Sequence, residues 1–334
     1  MKKICIATYV YGEKYQSFIP IYIYSILKSY PDYYIRIYVD NKLLSNVKEQ
    51  LALLNKLGDF EVVENFHTKL KISPELKSIE QVSRCFRWLM HDEIFLEFDS
   101  IYIGDIDIFI CRENPGLYEQ HIKHCEFLNL PYSNCVRTRK LNKSQNIKFI
   151  ARALVKFGIK ETLKYYRDSR SEIKRLTGLH FIKTTEYYAK IAPVIPKLQT
   201  SLGDLANKNS TEWNQVMFNN EFFLYELIVK SGIGVPKELL NGAINDSSDY
   251  YSYSFRPHHG LHLGIFRDIL GARKEHDLIT GQIYINYYKQ FCELRNNDDL
   301  FKEIQVHFSP YLNQIINNMD EYYGSYGLIP SALK

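Results

Sequence analysis

The sequence predicts an α/β protein whose mostly parallel sheet is flanked by helices. Short runs rich in Ile, Val and Tyr alternate with segments in which apolar residues recur every three or four positions. The first pattern is typical of buried strands, and the second is typical of helices that cover a sheet. With 334 residues, 46% of them hydrophobic, the chain is long enough for one large domain or two medium ones. In such a sheet, ligands bind beyond the carboxyl ends of the strands.

The first predicted elements are a strand, a helix and a second strand. Residues 4–10, ICIATYV, are mostly apolar and predict a buried strand. Ser17 is expected to cap the helix that follows, and Pro31 is expected to end it. Residues 35–40, IRIYVD, predict the second strand, which ends on the acidic residue Asp40.

The alternation continues through two more helices and two more strands. Apolar residues at helical spacing predict a helix over 44–54, and Gly58 is expected to lie at its C-terminal cap. Residues 60–64, FEVVE, predict the third strand. Residues 79–90 return to helical spacing, and residues 100–104, SIYIG, predict the fourth strand.

Two acids follow the fourth predicted strand within an apolar run. Asp105 and Asp107 lie one residue apart in GDIDIF. A carboxylate with apolar neighbours costs free energy unless a cation or hydrogen bonds compensate its charge. Hard divalent cations such as Mg²⁺ and Mn²⁺ bind carboxylate oxygens and keep positions open for phosphate oxygens. The pattern is therefore interpreted as a metal site, with a pair of solvated loop acids as the alternative.

A cluster of histidines and glycines, FRPHHGLHLG, occupies residues 255–264. Its three histidines are His258, His259 and His262. Imidazole is a suitable third ligand beside two carboxylates for Mn²⁺, and glycines let the backbone approach a phosphate closely. The alternative is that these histidines are structural.

Two predicted helices carry further polar candidates. Arg84 and Arg87 are three residues apart before the fourth strand, so they share one side of a helix. That side is either an ordinary solvated face or a basic group directed at phosphates. Glu221 stands at the start of another helix, where it either faces a substrate hydroxyl or interacts with the helix N-terminus.

Net charge and cysteine spacing limit the class of protein. The chain has 42 basic and 38 acidic residues, a net charge of +4 that gives no indication of a nucleic-acid partner. Its six cysteines include no C-x-x-C pair and are expected to be reduced, as in a cytosolic protein. No run approaches the roughly 20 apolar residues that span a bilayer, and the N-terminus is not typical of a signal peptide. The expectation is a soluble, cytoplasmic protein.

Residues 137–175 differ from the rest of the chain in charge. They contain 13 Lys or Arg residues and three acids. Basic residues recur at every fourth position from Lys148 to Lys164, which predicts a basic helical insertion. On an anionic membrane face, each such residue would contribute on the order of 1 kcal/mol to binding. The hypothesis is therefore that the insertion lies on the inner face of a membrane, and the alternative is a solvated helical arm.

Taken together, these segments resemble a GT-A glycosyltransferase of the kind that builds bacterial surface polysaccharides. The resemblance rests on ICIATYV, RCFRWLMHDEIFLEFDSIYIGDIDIF, LPYSN, LTGLHFI, NNEFFLYELIVKSG and RPHHGLHLG. It implies a Rossmann-like sheet that binds a nucleotide-sugar, usually a UDP-sugar, together with Mn²⁺ or Mg²⁺. The expected domains are a catalytic domain over residues 1–274, which includes the basic insertion, and a helical C-terminal extension over residues 275–334.

The resemblance assigns the metal to the two acids and a late histidine. Asp105 would touch both the ribose and the metal, and Asp107 would bind the metal. His262 is the first candidate for the third ligand, and His259 is the second.

The resemblance also places residues around the donor nucleotide. Thr8 and Tyr9, at the end of the first strand, would contact the nucleotide, Tyr9 by stacking. Asp40 would recognise the base, and Arg87 and Arg84 would lie beside the donor.

The implied activity is transfer of a sugar from a nucleotide-diphosphate sugar to a saccharide or lipid-linked acceptor. Glu221, near the acceptor hydroxyl, and Asp107 would be the catalytic residues. The His-x-x-Gly-x-x-Lys segment of glycogenin-like relatives is not reproduced, although Arg267 stands close to the position of its lysine. Two alternatives are a phosphatase or phosphotransferase of the haloacid dehalogenase type, with Asp105 as nucleophile, and a non-enzymatic carbohydrate-binding protein.

Overall fold

A six-stranded sheet forms the centre of the structure, which is a computed structural model. The structure describes residues 2–72, 80–134, 136–139, 159, 173–200, 220–235 and 259–327. The strands are β1 (Lys2–Val10), β2 (Tyr34–Val39), β3 (Phe60–Val63), β4 (Phe98–Ile103), β5 (Ile108–Ile110), β6 (Tyr132–Ser133), β7 (Val136–Arg139), β8 (Ile173–Leu176), β9 (His180–Lys183) and β10 (Gly260–His262). The central sheet has the order β3-β2-β1-β4-β9-β6. Strands β1 to β4 are parallel, and β9 is antiparallel to both of its neighbours. The predicted mostly parallel α/β sheet is confirmed.

The helices cover both faces of this sheet. They are α1 (Glu13–Gln16), α2 (Ile19–Ser29), α3 (Ser45–Leu54), α4 (Glu80–Ser83), α5 (Leu117–Leu128), α6 (Thr184–Ile191), α7 (Asn220–Lys230), α8 (Ile269–Lys274), α9 (His276–Ile279), α10 (Gln282–Asn297), α11 (Asp299–Gln305) and α12 (Pro310–Ser325). In the described part of the chain, 3-10 helices occupy Phe66–Lys69, Arg84–Leu89, Glu93–Glu97 and Leu263–Arg267. No helix in these parts of the chain is both long and apolar enough to cross a membrane.

The two faces of β1 belong to two different hydrophobic cores. Ile4 and Ile6 pack with α2 and with the C-terminal helices α10 to α12. Cys5 and Ala7 pack instead with the 3-10 helix Arg84–Leu89 and with α7. Because successive strand residues point to opposite faces, this alternation is the expected result of a strand buried on both sides.

The carboxyl ends of the parallel strands meet at one edge of the sheet. The Gly104 amide, just after β4, donates to the Ala7 carbonyl at 3.1 Å. The Asp40 amide, just after β2, donates to the Val10 carbonyl, also at 3.1 Å. The predicted site residues at the end of β1 and those that follow β2 and β4 are therefore brought to the same edge, where parallel sheets bind ligands.

Two smaller sheets carry segments that the sequence analysis singled out. Strand β10 pairs antiparallel with β5, so that His262 lies opposite Ile108. Strands β7 and β8 pair antiparallel at the two ends of the predicted basic insertion, so these ends are strands and not helix. Nearly all of residues 140–172 lies outside the described part of the chain, and the predicted basic helix there stays a prediction.

Two local predictions were wrong at helix ends, and one predicted helix differs in type. The Ser17 hydroxyl does not cap α2 but donates to the Lys14 carbonyl at 2.8 Å, because a short helix, α1, directly precedes it. Gly58 does not cap α3; a Cβ atom there would lie 2.9 Å from Leu27, so the glycine allows the chain to pass close to α2. The predicted helix over 79–90 is mostly a 3-10 helix, in which residues three apart eclipse one another.

Candidate functional site

A cavity of about 210 Å³ opens at the carboxyl ends of β1 and β4. Its charged lining in the described part of the chain consists of Arg84, Arg87, Asp105, Asp107, His262 and Arg267. The rings of Tyr9, Tyr11 and Tyr15, from the end of β1 and from α1, form one wall of the cavity, called the aromatic wall below. The structure thus gathers both predicted acids, both predicted arginines and one predicted histidine around a single cavity.

Asp105 is paired with the buried Arg87. Nη1 of Arg87 lies 2.5 Å from Oδ1 of Asp105. The same guanidinium donates to the Gly104 carbonyl at 3.0 Å and to the Gly178 carbonyl at 3.4 Å. An arginine offers several donors in a fixed fork, so this single side chain ties the acid to two turns of backbone.

Asp107 is paired with His262 and Arg267. The Leu263 amide donates to the Asp107 carbonyl at 2.8 Å, which continues the pairing of β10 with β5. Nε2 of His262 lies 3.5 Å from Oδ1 of Asp107, and a guanidinium nitrogen of Arg267 contacts Oδ2. The strand pairing therefore delivers the histidine to the acid, and the 3-10 helix that follows delivers the arginine.

These neighbours change the pKa values of both Asp107 and His262. Burial raises the pKa of Asp107, but His262 and then Arg267 outweigh it and hold the pKa well below its usual range. Burial lowers the pKa of His262, but Asp107 outweighs it and raises the pKa above its usual value. Both shifts favour the charged forms, an anionic carboxylate facing a cationic imidazole.

Gly264 makes room for the Asp107 carboxylate. A Cβ atom added at Gly264 would collide with Oδ2 of Asp107 and would lie 2.9 Å from Nη2 of Arg267. Only a residue without a side chain fits this position without moving the ion pair. Within the sequence HLGIFR, the glycine is therefore required by the site and not by its own backbone angles.

The donor types at this site fit a hard divalent cation. Asp105 and Asp107 supply carboxylate oxygens and His262 an imidazole nitrogen, which are ligands that Mn²⁺ and Mg²⁺ accept. In the arrangement described, each acid faces a protein cation, and no three His, Cys, Asp or Glu side chains of the described residues are arranged to hold a metal ion. Metal binding would thus require Arg87 and Arg267 to release their carboxylate partners.

His259 is not at the site, which corrects its candidacy as a metal ligand. Its side chain is 1% exposed, and both ring nitrogens are already engaged. Nδ1 lies 2.6 Å from Oε2 of Glu113, and Nε2 lies 2.9 Å from Nε2 of His121. Two strand residues, Gly260 and Leu261, separate it from His262. The remaining histidine of the cluster, His258, lies outside the described residues.

Thr8 and Tyr9 differ in their access to the cavity. Thr8 is fully buried, and its hydroxyl donates to the Gly104 carbonyl at 2.8 Å, so the expected nucleotide contact is corrected to a structural one. Tyr9 lines the cavity, with its hydroxyl 2.5 Å from Nε2 of His67. The His67 ring stacks on Tyr9 at a centroid distance of 6.0 Å and on Tyr11 at 5.9 Å. Tyr9, for which stacking on the nucleotide was predicted, is therefore part of the aromatic wall.

Asp40 is buried behind this wall. Its Oδ2 accepts from the Gly12 amide at 3.1 Å, whereas its Oδ1 has no hydrogen-bond partner among the described residues. Burial raises the pKa of Asp40, against the opposing effect of the hydrogen bond from Gly12. Asp40 does not itself line the cavity in the described part of the chain. A ligand in the cavity would therefore not reach the Asp40 carboxylate in the arrangement described.

The helix α7 reaches the cavity through Asn220 and not through Glu221. Asn220 is the first residue of α7 and lines the cavity, and its carbonyl accepts from Nε1 of Trp88 at 2.8 Å. Glu221 is half-buried beside it in the first turn. The residue of α7 that lines the cavity is thus Asn220, one position before Glu221, which was expected near an acceptor.

Two lining residues were missed or underrated in the sequence. The ring of Tyr15 lies 5.1 Å from the guanidinium carbon of Arg267, and both line the cavity. Tyr15 stands in α1, a four-residue helix too short to produce a periodic signal. In the sequence, Arg267 was noted only as a basic residue close to the position of a lysine in the glycogenin-like enzymes that the chain was expected to resemble.

Comparisons with known proteins give only a distant likeness. No protein-family model and no curated protein matches the chain. A structure of galactosyltransferase LgtC with donor and acceptor sugar analogues is 13% identical, covers 67% of this chain and 70% of its own, and has a TM-score of 0.37. Core-mannan synthase A from Aspergillus fumigatus in a Mn/GDP form is 10% identical, covers 68% and 70%, and has a TM-score of 0.40. Glycosyltransferase GlyE from Streptococcus pneumoniae is 11% identical, covers 99% and 66%, and has a TM-score of 0.39. These scores assign no family and no activity to the chain.

Proposed function

We propose that the chain is a metal-dependent glycosyltransferase that moves a sugar from a nucleotide-diphosphate sugar to an acceptor hydroxyl. The observation that carries this proposal is the cavity beyond β1 and β4, where two carboxylates and a histidine face three arginines. The donor is a UDP-sugar, and the acceptor is a saccharide or a lipid-linked saccharide of bacterial surface polysaccharide synthesis.

Asp105, Asp107 and His262 would hold Mn²⁺ or Mg²⁺. When bound, the ion supplies charge stabilisation for the diphosphate leaving group. Arg87 and Arg267, which now neutralise the two acids, would then be free to bind phosphate oxygens, to which a guanidinium is well matched. Arg87 and Arg267 would thus pair with the two aspartates without ligand and with the phosphates when the donor is bound.

The aromatic wall would receive the nucleoside. Tyr9 and Tyr11 line the cavity and present ring surface to a base or a ribose. Asp40 is proposed to accept a base N–H at its Oδ1, the oxygen that has no partner among the described residues, and the residues that separate it from the cavity would have to move for this contact to form. An unpaired buried acceptor costs free energy, so a ligand that supplies a donor gains affinity there.

The acceptor would lie on the side of α7. Asn220 would orient the acceptor by hydrogen bonds, and Glu221, the next residue of α7, is the proposed general base. Because Glu221 does not line the cavity in the arrangement described, it would have to turn towards the acceptor to act. A carboxylate has to lie within hydrogen-bond reach of the acceptor hydroxyl to remove its proton. Glu221→Gln would then lower kcat while leaving release of nucleotide by slow hydrolysis in place.

The basic segment 137–175 is proposed to hold the protein at an anionic membrane surface. Its 13 basic residues would attract acidic lipids, near which a lipid-linked acceptor is available. Co-sedimentation with vesicles of neutral or acidic lipid tests this proposal. Binding that does not depend on acidic lipid would contradict it.

The deciding experiment is hydrolysis of a panel of nucleotide sugars by the purified protein, with Mn²⁺ or with a chelator. We expect metal-dependent release of UDP from one sugar, lost in Asp107→Ala. Asp99→Ala is a matched control, because Asp99 is an exposed acid at the opposite end of β4. Release of inorganic phosphate would favour a phosphatase instead, and binding without turnover would favour a carbohydrate-binding protein.

A further inference from the structure

We propose that Glu113 and His259 are positioning residues that hold β10, and thereby His262, in register beside Asp107. Their effect on catalysis rests on the proposed function, but their effect on β10 can be measured without it. The buried cluster that does this, called the histidine cluster below, consists of Glu113, His259, His121, Ser133 and His124.

The histidine cluster is a continuous chain of hydrogen bonds. Oε2 of Glu113 lies 2.6 Å from Nδ1 of His259, whose Nε2 lies 2.9 Å from Nε2 of His121. Nδ1 of His121 and Nδ1 of His124 both reach Oγ of Ser133, at 2.9 and 2.6 Å. The chain thus connects the start of β10 with α5 and β6.

The acid at the end of this chain is firmly held. Nε2 of Gln120 donates to Oε2 of Glu113 at 2.8 Å, and the Tyr287 hydroxyl donates to Oε1. Burial raises the pKa of Glu113, but its bond to His259 outweighs burial and lowers the pKa, so the group is a carboxylate. Tyr287 belongs to α10, so Glu113 also joins β10 to the C-terminal helices.

The carboxylate fixes the proton on the histidine that it contacts. Because Glu113 accepts, Nδ1 of His259 carries a proton. The single proton of the Ser133 hydroxyl can be donated to only one of the His121 and His124 rings. Burial lowers the pKa of His121 well below its usual value, and it lowers that of His124 to about 4, so both rings are neutral.

The backbone at His259 shows why such a clamp is needed. Its φ angle is +41°, in the left-handed region that a residue with a side chain rarely adopts. Such a conformation persists only where the surroundings over-determine it. The ring held at both nitrogens supplies that constraint, and the His259 carbonyl accepts from the Cys111 amide at 3.0 Å.

The clamped residue begins the pairing that ends at the site. Gly260 lies opposite Ile110 and His262 opposite Ile108, after which the Leu263 amide donates to Asp107. A slip of one residue would turn His262 to the other face of the strand. The register of β10 is also restricted by Gly260, where a Cβ atom would collide with the Phe109 carbonyl oxygen, and by the fully buried Leu261. The clamp at His259 adds a constraint at the start of this short strand, three positions before the side chain that faces Asp107.

The test uses three variants and two independent readouts. His259→Leu removes both ring contacts, Glu113→Gln removes the charge, and His259→Asn keeps a donor near Glu113 and tolerates the left-handed backbone. The first readout is hydrogen exchange of the Leu263 and Cys111 amides, which reports β10 without any substrate. The second is kcat for metal-dependent UDP release.

We expect exchange at Leu263 to rise about tenfold or more in His259→Leu, less in Glu113→Gln and least in His259→Asn. The fall in kcat should follow the same order. Asp92→Asn is the matched control: it breaks an ion pair of 2.7 Å with Arg36 that no residue of the histidine cluster touches, and it should change neither readout. If His259→Leu does not fold, the other two variants decide.

Unchanged exchange at Leu263 in folded Glu113→Gln and His259→Asn would overturn the proposal, whatever happens to turnover. Faster exchange in the predicted order would support it even if the wild-type protein releases no UDP, in which case only the proposed function fails. Faster exchange of equal size in the Asp92→Asn control would show general loosening and would also overturn it.

Discussion

Replacing Arg87 by alanine should destabilise the protein measurably. The side chain is 6% exposed and donates to three acceptors, Asp105 and the carbonyls of Gly104 and Gly178. Its removal leaves two backbone acceptors without this donor and an anionic carboxylate without its cation. The loss therefore falls on several groups at once, and it should exceed that of an ordinary surface substitution.

The magnitude follows from the exposure of each partner. A hydrogen bond to a charged group contributes about 1.5–3 kcal/mol, and the low end applies because the Asp105 side chain is 33% exposed. The two carbonyls add about 1.5 kcal/mol together, since one bond is long, which gives a loss of about 3 kcal/mol. For 334 residues the unfolding entropy is about 0.7 kcal/mol per kelvin, so the midpoint should fall by about 4 °C.

The assay is calorimetric unfolding of the wild type and three variants. Arg87→Lys keeps the charge but not the fork of donors, so it should lose about half as much stability as Arg87→Ala. Arg84→Ala is the control, because Arg84 lines the same cavity but is exposed, and it should change stability by less than about 1 kcal/mol. An unfolding midpoint for Arg87→Ala within a degree of the wild type would refute the pairing described here. Equal losses in Arg87→Ala and Arg84→Ala would refute it as well.

Three further predictions concern the other half of the site. Gly264→Ala should displace the Asp107 carboxylate and abolish metal-dependent UDP release, measured by kinetics. Circular dichroism should show little change in secondary structure. Retained activity would contradict the close approach of Gly264 to the Asp107 carboxylate. In Asp107→Asn the pKa of His262, followed by NMR, should fall from above 6.5 to below it, because burial then acts without the anion. The free energy of unfolding that the His262–Asp107 pair contributes should be complete below about pH 6.5 and should decline as the pH rises through the raised pKa of His262. Urea unfolding at pH 6 and at pH 9 should show this fall in stability in the wild type and not in Asp107→Asn. In titration calorimetry, Mn²⁺ should bind weakly by itself and more tightly when UDP is present. Arg267→Ala should strengthen the binding of Mn²⁺ without UDP. Equal affinities for Mn²⁺ with and without UDP would contradict this prediction.

The parallel sheet could be predicted because each strand leaves a local signal. Runs such as ICIATYV and SIYIG are short, apolar and separated by helical spacing, and strands with these positions form in the structure. Helix ends were harder, because Ser17 and Gly58 are used for contacts that depend on neighbouring elements. The same local signal could have corrected one site residue: Thr8 and Tyr9 are consecutive in a strand and have to point to opposite faces.

The site could be predicted only where its residues follow a strand or share a helix side. Asp105, Asp107, Arg84 and Arg87 satisfy that condition, and His262 follows from strand pairing only after β5 and β10 are known. The histidine cluster could not be predicted, since Glu113 and His259 are 146 residues apart in sequence. A histidine with a structural role has the same local sequence as one that binds a metal, and only its partners distinguish the two.

The balance of charge at the cavity decides how a metal could bind there. Among the described lining residues, three arginines face two carboxylates, and the raised pKa of His262 adds further positive charge. A divalent cation arriving alone would meet net repulsion, and it would have to compete with Arg87 and Arg267 for the acids. A nucleotide diphosphate changes both conditions, since its oxygens attract the arginines away from the acids and contribute ligands to the metal. Metal and nucleotide should therefore bind as a pair, and the arginines, more than the acids, set this dependence.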